Sequence, residues 1–215
     1  MTPDEPLSPA DIQALFTRAD GQYLFARWGR PIVPVVFGVD EPTIAVLKGA
    51  IEAVVVLADH KMAETDTELG ANLMVFFVRD WDELTQTPIL DRLIPDLAPL
   101  VTRLKSVDAN QYRSFRFDPS GGIKAAFVFI RMDADMQAAS ADTIALSQMV
   151  QTILLWSDAA FLRASPLAIL RQGGAPILKP QIADVIRAGY DPILPVAATD
   201  PAHALRLSAR VGRRQ

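Results

Sequence analysis

Cysteine is absent from the 215 residues of this chain, and histidine occurs only twice, as His60 and His203. The absence of cysteine excludes disulfides, thiolate nucleophiles, iron–sulfur clusters and cysteine-based zinc sites together. No sequence pattern brings a serine, a histidine and an aspartate together as a catalytic triad. We therefore predict no catalytic residues of a recognisable type, no metal ligands and no cofactor.

The chain also lacks a long hydrophobic run and a surplus of positive charge. Residues 50–58 form the most apolar run, but Glu52 interrupts it, and it is far shorter than the roughly 20 residues that a membrane-spanning helix needs. The first residues are acidic and contain no apolar stretch, so no signal peptide is expected and the expected location is cytoplasmic. The net charge of −4 and the pI of about 5.2 argue against a nucleic-acid-binding protein, which needs a basic surface.

Positive charge does gather at the C-terminus of the chain. The arginines of this segment are Arg206, Arg210, Arg213 and Arg214. A solvated chain end is the common interpretation of such a segment, whereas contact with a membrane surface or an acidic partner is the functional one. We treat residues 205–215 as a basic C-terminal tail and residues 1–20 as an N-terminal helical extension of a single domain that spans residues 1–215.

Hydrophobic periodicity predicts an α+β fold. Apolar residues recur at helical spacing in several stretches, and short apolar runs bounded by polar residues predict strands. The expected helices are a short one from Pro9, a long one from residues 40–42, a helical stretch at 81–105 broken by Pro88, Pro95 and Pro99, helices at 142–156 and 180–188, and a C-terminal helix. The expected strands are residues 23–28, 31–37 and 72–78. Pro34 removes a ladder donor from the second strand, which indicates an edge strand or a bulge.

The clearest local signal is a β-hairpin. Residues 112–117 and 123–132 are rich in β-forming side chains and flank a loop, residues 118–122, that has the residues a hairpin turn requires. We expect this hairpin to be central in a mixed or antiparallel sheet flanked by helices. Residues 72–78 are almost entirely apolar, so both faces of that strand should be buried. The phenylalanines of these strands favour an aromatic core over a nucleic-acid stacking platform, because the chain is acidic.

The two histidines stand in different sequence contexts, His60 in a polar stretch and His203 at a helix start. The acidic residues near His60 imitate a hard-metal cluster, and they are Asp59, Glu64, Asp66 and Glu68. A polar surface loop between a helix and a strand explains them better. His203 follows an Asp-Pro helix start, and we expect it at the surface.

The predicted helix at residues 142–156 carries Ser147, Gln148 and Gln151 among mainly apolar side chains. Ser147, Gln148 and Gln151 occupy positions i, i+1 and i+4, where the H-E-x-x-H helix of zinc peptidases has His, Glu and His. In those enzymes two histidines one turn apart bind the metal and the glutamate activates water. Serine and glutamine can form hydrogen bonds in a core, but they offer zinc neither an imidazole nor a charge. Polar residues on one side of a core helix are the simpler interpretation.

Three stretches resemble the proteobacterial domain-of-unknown-function 2927 family. Residues 23–32 (YLFARWGRPI) are similar to a basic-Trp-x-x-Pro opening that leads into a strand, and residues 151–158 (QTILLWSD) are similar to the family's Gln-x-Leu-Gly-Leu-x-Asn-Asp. Residues 189–192 (GYDP), with Pro195 and Ala202, are similar to the family's Leu-Tyr-Asp-Pro-Arg segment and its C-terminal neighbours. The likeness covers most of the chain and implies a zincin-like fold with no established activity.

The chain departs from the family's pattern at the helix that carries the likeness to a zinc site. Ala145 and Leu146 stand where the family has cysteine and acidic residues, and Leu154 replaces its glycine. Family members are often exported or lipid-anchored, whereas this chain starts without such a signal. The resemblance therefore implies a degenerate site, whose candidate residues are Ser147, Gln148, Gln151 and Asp158.

The function expected from these observations is binding. The leading hypothesis is a bacterial pseudoenzyme, a non-catalytic zincin-like domain that binds an unknown protein or peptide partner. A hydrolase whose site is assembled from dispersed residues such as Asp158, Gln148 and His60 is an alternative. A second alternative is an accessory protein that docks on an anionic surface through its C-terminal arginines, Arg206, Arg210, Arg213 and Arg214.

Overall fold

The computed structural model describes residues 7–169 and 174–211 of the chain. The helices are Pro9–Phe16 (α1), Glu41–Leu57 (α2), Asp82–Gln86 (α3), Leu90–Leu93 (α4), Leu97–Ser106 (α5), Ala134–Ala138 (α6), Ala141–Ile153 (α7), Pro180–Gly189 (α8) and Ala202–Val211 (α9). The strands are Phe25–Ala26 (β1), Pro34–Phe37 (β2), Leu73–Val78 (β3), Gln111–Phe117 (β4), Ile123–Arg131 (β5), Leu167–Ile169 (β6), Pro176–Leu178 (β7) and Ala197–Ala198 (β8).

The main sheet has four strands in the order β2-β3-β5-β4. Strands β2, β3 and β5 run parallel, and β4 runs antiparallel to β5. Parallel neighbours need a crossover connection, which α2 supplies between β2 and β3. The sheet is therefore mixed and the fold is α+β, as predicted. Two short strand pairs, β1 with β8 and β6 with β7, lie outside the main sheet.

Helices cover both faces of the main sheet. On one face, Leu73, Val75 and Phe77 of β3 belong to a large hydrophobic cluster that includes side chains of α2 and α7. On the other face, Phe76 and Val78 belong to a second cluster with side chains of α3, α4 and α5. Five of the six residues of β3 are buried. The expectation that both faces of this strand lie in the core is therefore confirmed.

The predicted hairpin is confirmed, because β4 and β5 pair antiparallel across the predicted loop. Asp118 closes this loop in two ways. Its backbone N–H donates to Gly122 O at 2.9 Å, and its carboxylate accepts from Ser120 N at 2.8 Å. The expectation that the hairpin is central in the sheet is wrong, because the hairpin lies at one side of the sheet, with β5 internal and β4 an edge strand.

Three predictions that rest on proline have different outcomes. Pro34 is the first residue of β2, which is an edge strand, as predicted. Pro88 and Pro95 lie in the breaks between α3, α4 and α5, also as predicted. The expected break at Pro99 is wrong, because this residue lies inside α5. It falls in the first turn, where backbone N–H groups have no acceptor within the helix and proline is tolerated.

The helix predicted at residues 142–156 is α7, and it ends earlier than predicted, at Ile153. The next residues pair with the segment around β1. Leu154 forms a β-bridge with Arg27, and Leu155 N donates to Ala26 O at 2.8 Å. These backbone hydrogen bonds replace the ones that a longer helix would have made.

The first and last helices pack into the large hydrophobic cluster. Ile12 and Phe16 of α1 are fully buried, and the Phe16 ring stacks on Trp156 with centroids 5.2 Å apart. On α9, Ala204 and Leu207 are buried as well. Both helices therefore share a core with the main sheet.

Candidate functional site

The side chains of Ser147, Gln148 and Gln151 on α7 are hydrogen-bonded inside the fold. Gln151 Nε2 donates to Ser147 Oγ at 2.9 Å, so these residues, one turn apart, are partners of each other. Gln148 is buried, and its Nε2 donates to Gln111 Oε1 at 3.1 Å while its Oε1 accepts from Arg113 Nη2 at 2.6 Å. Both glutamine side chains therefore have hydrogen-bond partners.

Gln148 connects α7 to Arg113 on the edge strand β4. Arg113 Nη2 also donates to Gln111 Oε1 at 2.7 Å, so two neutral amides hold the guanidinium. Its Nε is buried without a hydrogen-bond partner, and within residues 7–169 and 174–211 it forms no ion pair. Burial lowers the pKa of Arg113 to about 10, so the side chain still carries its charge at neutral pH. The result is a largely desolvated cation without a counter-ion.

Arg113 lines a cleft of about 740 Å³ beside β4. This volume lies within the range of about 300–1,000 Å³ that is typical of ligand sites. The charged residues of the wall are Arg18, Arg103, Arg113 and Asp158. Its apolar and aromatic residues are Tyr112, Phe115, Leu155, Trp156, Phe161 and Leu162. Three guanidiniums beside an aromatic wall suit a ligand that has both an anionic and an apolar part.

The degenerate-site candidates lie at or next to this cleft. Gln151 and Asp158 line it directly. Ser147 and Gln148 adjoin it through their hydrogen bonds to Gln151 and Arg113. Asp158 is exposed, and its carboxylate accepts from the backbone N–H of residue 19 at 3.2 Å.

A second cleft, of about 600 Å³, lies beside β4 on the face that carries the second hydrophobic cluster. Tyr112 and Arg103 line both clefts. Arg116 adds a guanidinium to the second cleft, where it donates to Leu93 O at 3.0 Å and lies 5.8 Å from the centroid of the Phe127 ring. In the part of the chain that the structure describes, β4 pairs with β5 on one side and with no strand on the other. The open edge of β4 is thus flanked by two clefts.

The C-terminal arginines that the structure describes have different surroundings. Arg210 Nε donates to the Asp191 carboxylate at 2.8 Å, so this guanidinium is held in an ion pair. Arg206 is exposed on α9. Arg213 and Arg214 lie outside the described residues.

Of the acidic residues near His60, Asp66 and Glu68 are held by hydrogen bonds and ion pairs. Across residues 7–169 and 174–211, no group of three or more His, Asp or Glu side chains is arranged to hold a metal ion. Asp66 is buried and accepts from Asn72 Nδ2 at 3.0 Å and from Arg30 Nη1 at 3.3 Å. Glu68 forms ion pairs with Arg30 and Lys124. These contacts tie the loop to the start of β2 and to β5.

His60 is not in the wall of either cleft beside β4. Its Nε2 is hydrogen-bonded to Arg30 O at 2.9 Å, and its ring lies 5.1 Å from that of Tyr190. Burial lowers the pKa of His60. In the described structure no hydrogen bond or ring contact joins His60 to Gln148 or Asp158.

The expectation that His203 lies at the surface is wrong. Only 4% of its surface is exposed, and its Nδ1 is hydrogen-bonded to Tyr23 OH at 2.9 Å. The Phe25 ring lies 4.4 Å away, which explains the burial, because α9 packs this side chain onto the aromatic cluster at α1 and β1. Burial, followed by the charges of Arg206 and Arg210, lowers the pKa of His203 to about 4.

Comparison with known families, with curated proteins and with solved structures finds no match to this chain. Within residues 7–169 and 174–211, no helix combines the length and the apolar character needed to cross a membrane.

The arginines that give the clefts their positive charge were not among the residues predicted from the sequence. Arg113 lies in the alternating stretch QYRSFRF, a pattern typical of a strand with one solvated face. The partial burial of both faces of β4 shows that neither is simply solvated. Arg18 and Arg103 come from the α1 and α5 regions, far apart in the sequence, and no local pattern relates them to β4.

Proposed function

We propose that this chain is a non-catalytic, zincin-like domain that binds an extended peptide segment of a protein partner along β4. The open edge of β4 between two clefts is the observation that carries this proposal. An edge strand presents unpaired N–H and C=O groups, with which an extended peptide can form a further strand. Side chains of an added strand alternate between the two faces of a sheet, so successive peptide residues would enter the two clefts in turn.

The polar residues of α7 support binding over hydrolysis. Ser147 and Gln151 are bonded to each other, and Gln148 holds Arg113, so these side chains stabilise the wall of the cleft. A hydrolase that uses a serine nucleophile would need that hydroxyl within hydrogen-bonding reach of a base. Ser157 is the hydroxyl closest in sequence to Asp158, but its Oγ accepts from the backbone N–H of residue 159 at 3.0 Å, with no hydrogen bond to the Asp158 carboxylate in the described structure.

Binding of labelled strand-length peptides of about six residues tests the proposal. Fluorescence anisotropy with a mixed peptide library should show saturable binding. N-methylation of alternate backbone nitrogens in a binding peptide should abolish it, because the methylated nitrogens cannot donate to β4. Hydrogen exchange should show new protection of the amides of β4, whereas those of β2, the opposite edge, should not change.

Two outcomes would contradict the proposal. One is the absence of binding from the whole library. The other is binding that is insensitive to N-methylation and protects a surface other than β4. Stoichiometric zinc in the purified protein would instead favour the hydrolase alternative, so the metal content is measured on the same preparation.

A further inference from the structure

Ion pairs in the described part of the chain are concentrated away from the two clefts. The cations that have carboxylate partners are Arg30, Lys105, Lys124, Arg131, Arg187 and Arg210. None of these side chains lines the clefts beside β4. The guanidiniums that do line them are Arg18, Arg103, Arg113 and Arg116, and among the described residues none of these forms an ion pair.

The clefts are therefore positively charged within a chain whose net charge is −4. The carboxylates that line the clefts are Asp96 and Asp158, both exposed to solvent. The two clefts together therefore contain four guanidiniums and two carboxylates. The Nε atoms of Arg18 and Arg113 are buried without hydrogen-bond partners. A buried charge is costly without a counter-charge. An anion that enters the larger cleft would supply that counter-charge.

We infer that the peptide bound along β4 is acidic, with Asp or Glu side chains that contact the cleft guanidiniums and an apolar side chain beside them. This inference rests on the proposed function and specifies its ligand. Guanidinium–carboxylate contacts are charge-assisted and are stronger than neutral hydrogen bonds. The apolar side chain has a site at Trp156 and Phe161, whose rings pack edge to face with centroids 5.2 Å apart in the same cleft.

Three labelled peptides of equal length test the inference. The first alternates glutamate with valine and carries one phenylalanine, the second has glutamine in place of each glutamate, and the third has lysine. We expect the acidic peptide to bind at least about tenfold more tightly than the glutamine peptide, because each carboxylate meets an unpaired guanidinium. Its affinity should fall as salt is added, and the lysine peptide should not bind.

Substitutions of cleft arginines test whether the acidic peptide binds at β4. Arg103→Gln changes an exposed side chain that lines both clefts, and it should weaken binding of the acidic peptide about tenfold while the fold is kept. Arg113→Gln should weaken binding more, with circular dichroism as the check that the variant is folded. Arg92→Gln is the matched control, because Arg92 is exposed, outside both clefts and equal in charge. The control should bind like the unaltered chain.

The outcomes separate this inference from the proposed function. Equal binding of the glutamate and glutamine peptides, with protection of β4, would overturn the acidic preference and leave peptide binding intact. Equal losses of affinity for the acidic peptide in Arg103→Gln and Arg92→Gln would show that binding depends only on the net charge of the chain, which overturns the inference as well. Failure of all three peptides together with the mixed library would overturn the proposed function, and the inference with it.

Discussion

Replacing Asp66 with asparagine should destabilise the chain in a way that depends on pH. Asp66 Oδ1 accepts from the backbone N–H groups of Glu68 and Leu69 at 2.9 and 2.8 Å. Its Oδ2 accepts from Asn72 Nδ2 at 3.0 Å and from Arg30 Nη1 at 3.3 Å. Both oxygens face donors, so the NH₂ group of an asparagine would meet one of these donor pairs. Asp66→Asn thus removes a charge and places donors opposite each other.

The shifted pKa of Asp66 sets the size of the effect. Burial alone would raise this pKa, but the hydrogen bonds from Leu69, Glu68, Asn72 and Arg30 outweigh burial and lower the pKa to about 2, from an ordinary value of 3.8. Such a difference corresponds to at most about 2.5 kcal/mol of stability at neutral pH. The loop lies near the surface, where water and salt screen charges, so we expect about 1–2 kcal/mol.

The sign of the pH dependence is set by the direction of the shift. A carboxyl whose folded pKa is lowered contributes stability that is fully present above its unfolded pKa and is lost as the pH falls through its folded pKa. The loss caused by Asp66→Asn should therefore be largest near pH 7 and roughly halved near pH 3. Urea unfolding followed by circular dichroism measures both values.

Glu64→Gln is the matched control for Asp66→Asn. Glu64 is exposed in the same loop, and the substitution removes the same charge. It should change the free energy of unfolding by less than about 0.5 kcal/mol. Equal effects of the two substitutions, or a loss in Asp66→Asn that is the same near pH 3 and near pH 7, would refute the reasoning.

Two further predictions concern the separate glycines Gly38 and Gly21 and the two histidines. Gly38→Ala should destabilise the chain by more than about 2 kcal/mol, because an added Cβ would lie 2.1 Å from Phe77 O at a φ of +85°. Gly21→Ala, with a φ of +84° and no atom within 4 Å, should cost about 1 kcal/mol, and equal losses in denaturant unfolding would contradict the steric argument. NMR titration should find the pKa of His203 at about 4 and that of His60 below 6.5. Since the unfolded chain then binds a proton that the folded chain does not, stability should fall as the pH drops from 6.5 towards 4, and a His203 pKa near 6.5 would contradict its burial.

Elements whose signals lie in adjacent residues could be predicted from the sequence. Asp40 accepts from Thr43 N at 3.0 Å and caps α2, as its position before Pro42 indicates. Asp118 and the glycines after it mark the hairpin turn for the same reason, because the side chain and the conformations that close the loop belong to neighbouring residues. In such cases the side chains of neighbouring residues are enough to predict the element that forms.

Pairing between distant segments could not be predicted in the same way. Strands β2, β3 and β5 are parallel neighbours, yet α2 separates β2 from β3 in the sequence, and three helices and β4 separate β3 from β5. No local signal selects these partners. The short strands β1 and β8 pair where α1 and α9, distant in the sequence, pack into one core. The burial of His203 has the same origin, since its neighbours Tyr23 and Phe25 lie near the opposite end of the sequence.

One part of the candidate site, the glutamines of α7, could be predicted from the sequence, whereas their contact with Arg113 could not. The polar spacing on α7 indicates Gln148 and Gln151, but spacing alone does not predict the hydrogen-bond partner of a buried amide. The structure pairs Gln148 with Arg113, so α7 supports a guanidinium on the edge strand. The neutral amides of Gln111 and Gln148 accept hydrogen bonds from Nη2 of that guanidinium but leave its charge uncompensated. The polar spacing on α7 and the preference for an anionic ligand inferred for β4 thus meet in one contact, between Gln148 and Arg113.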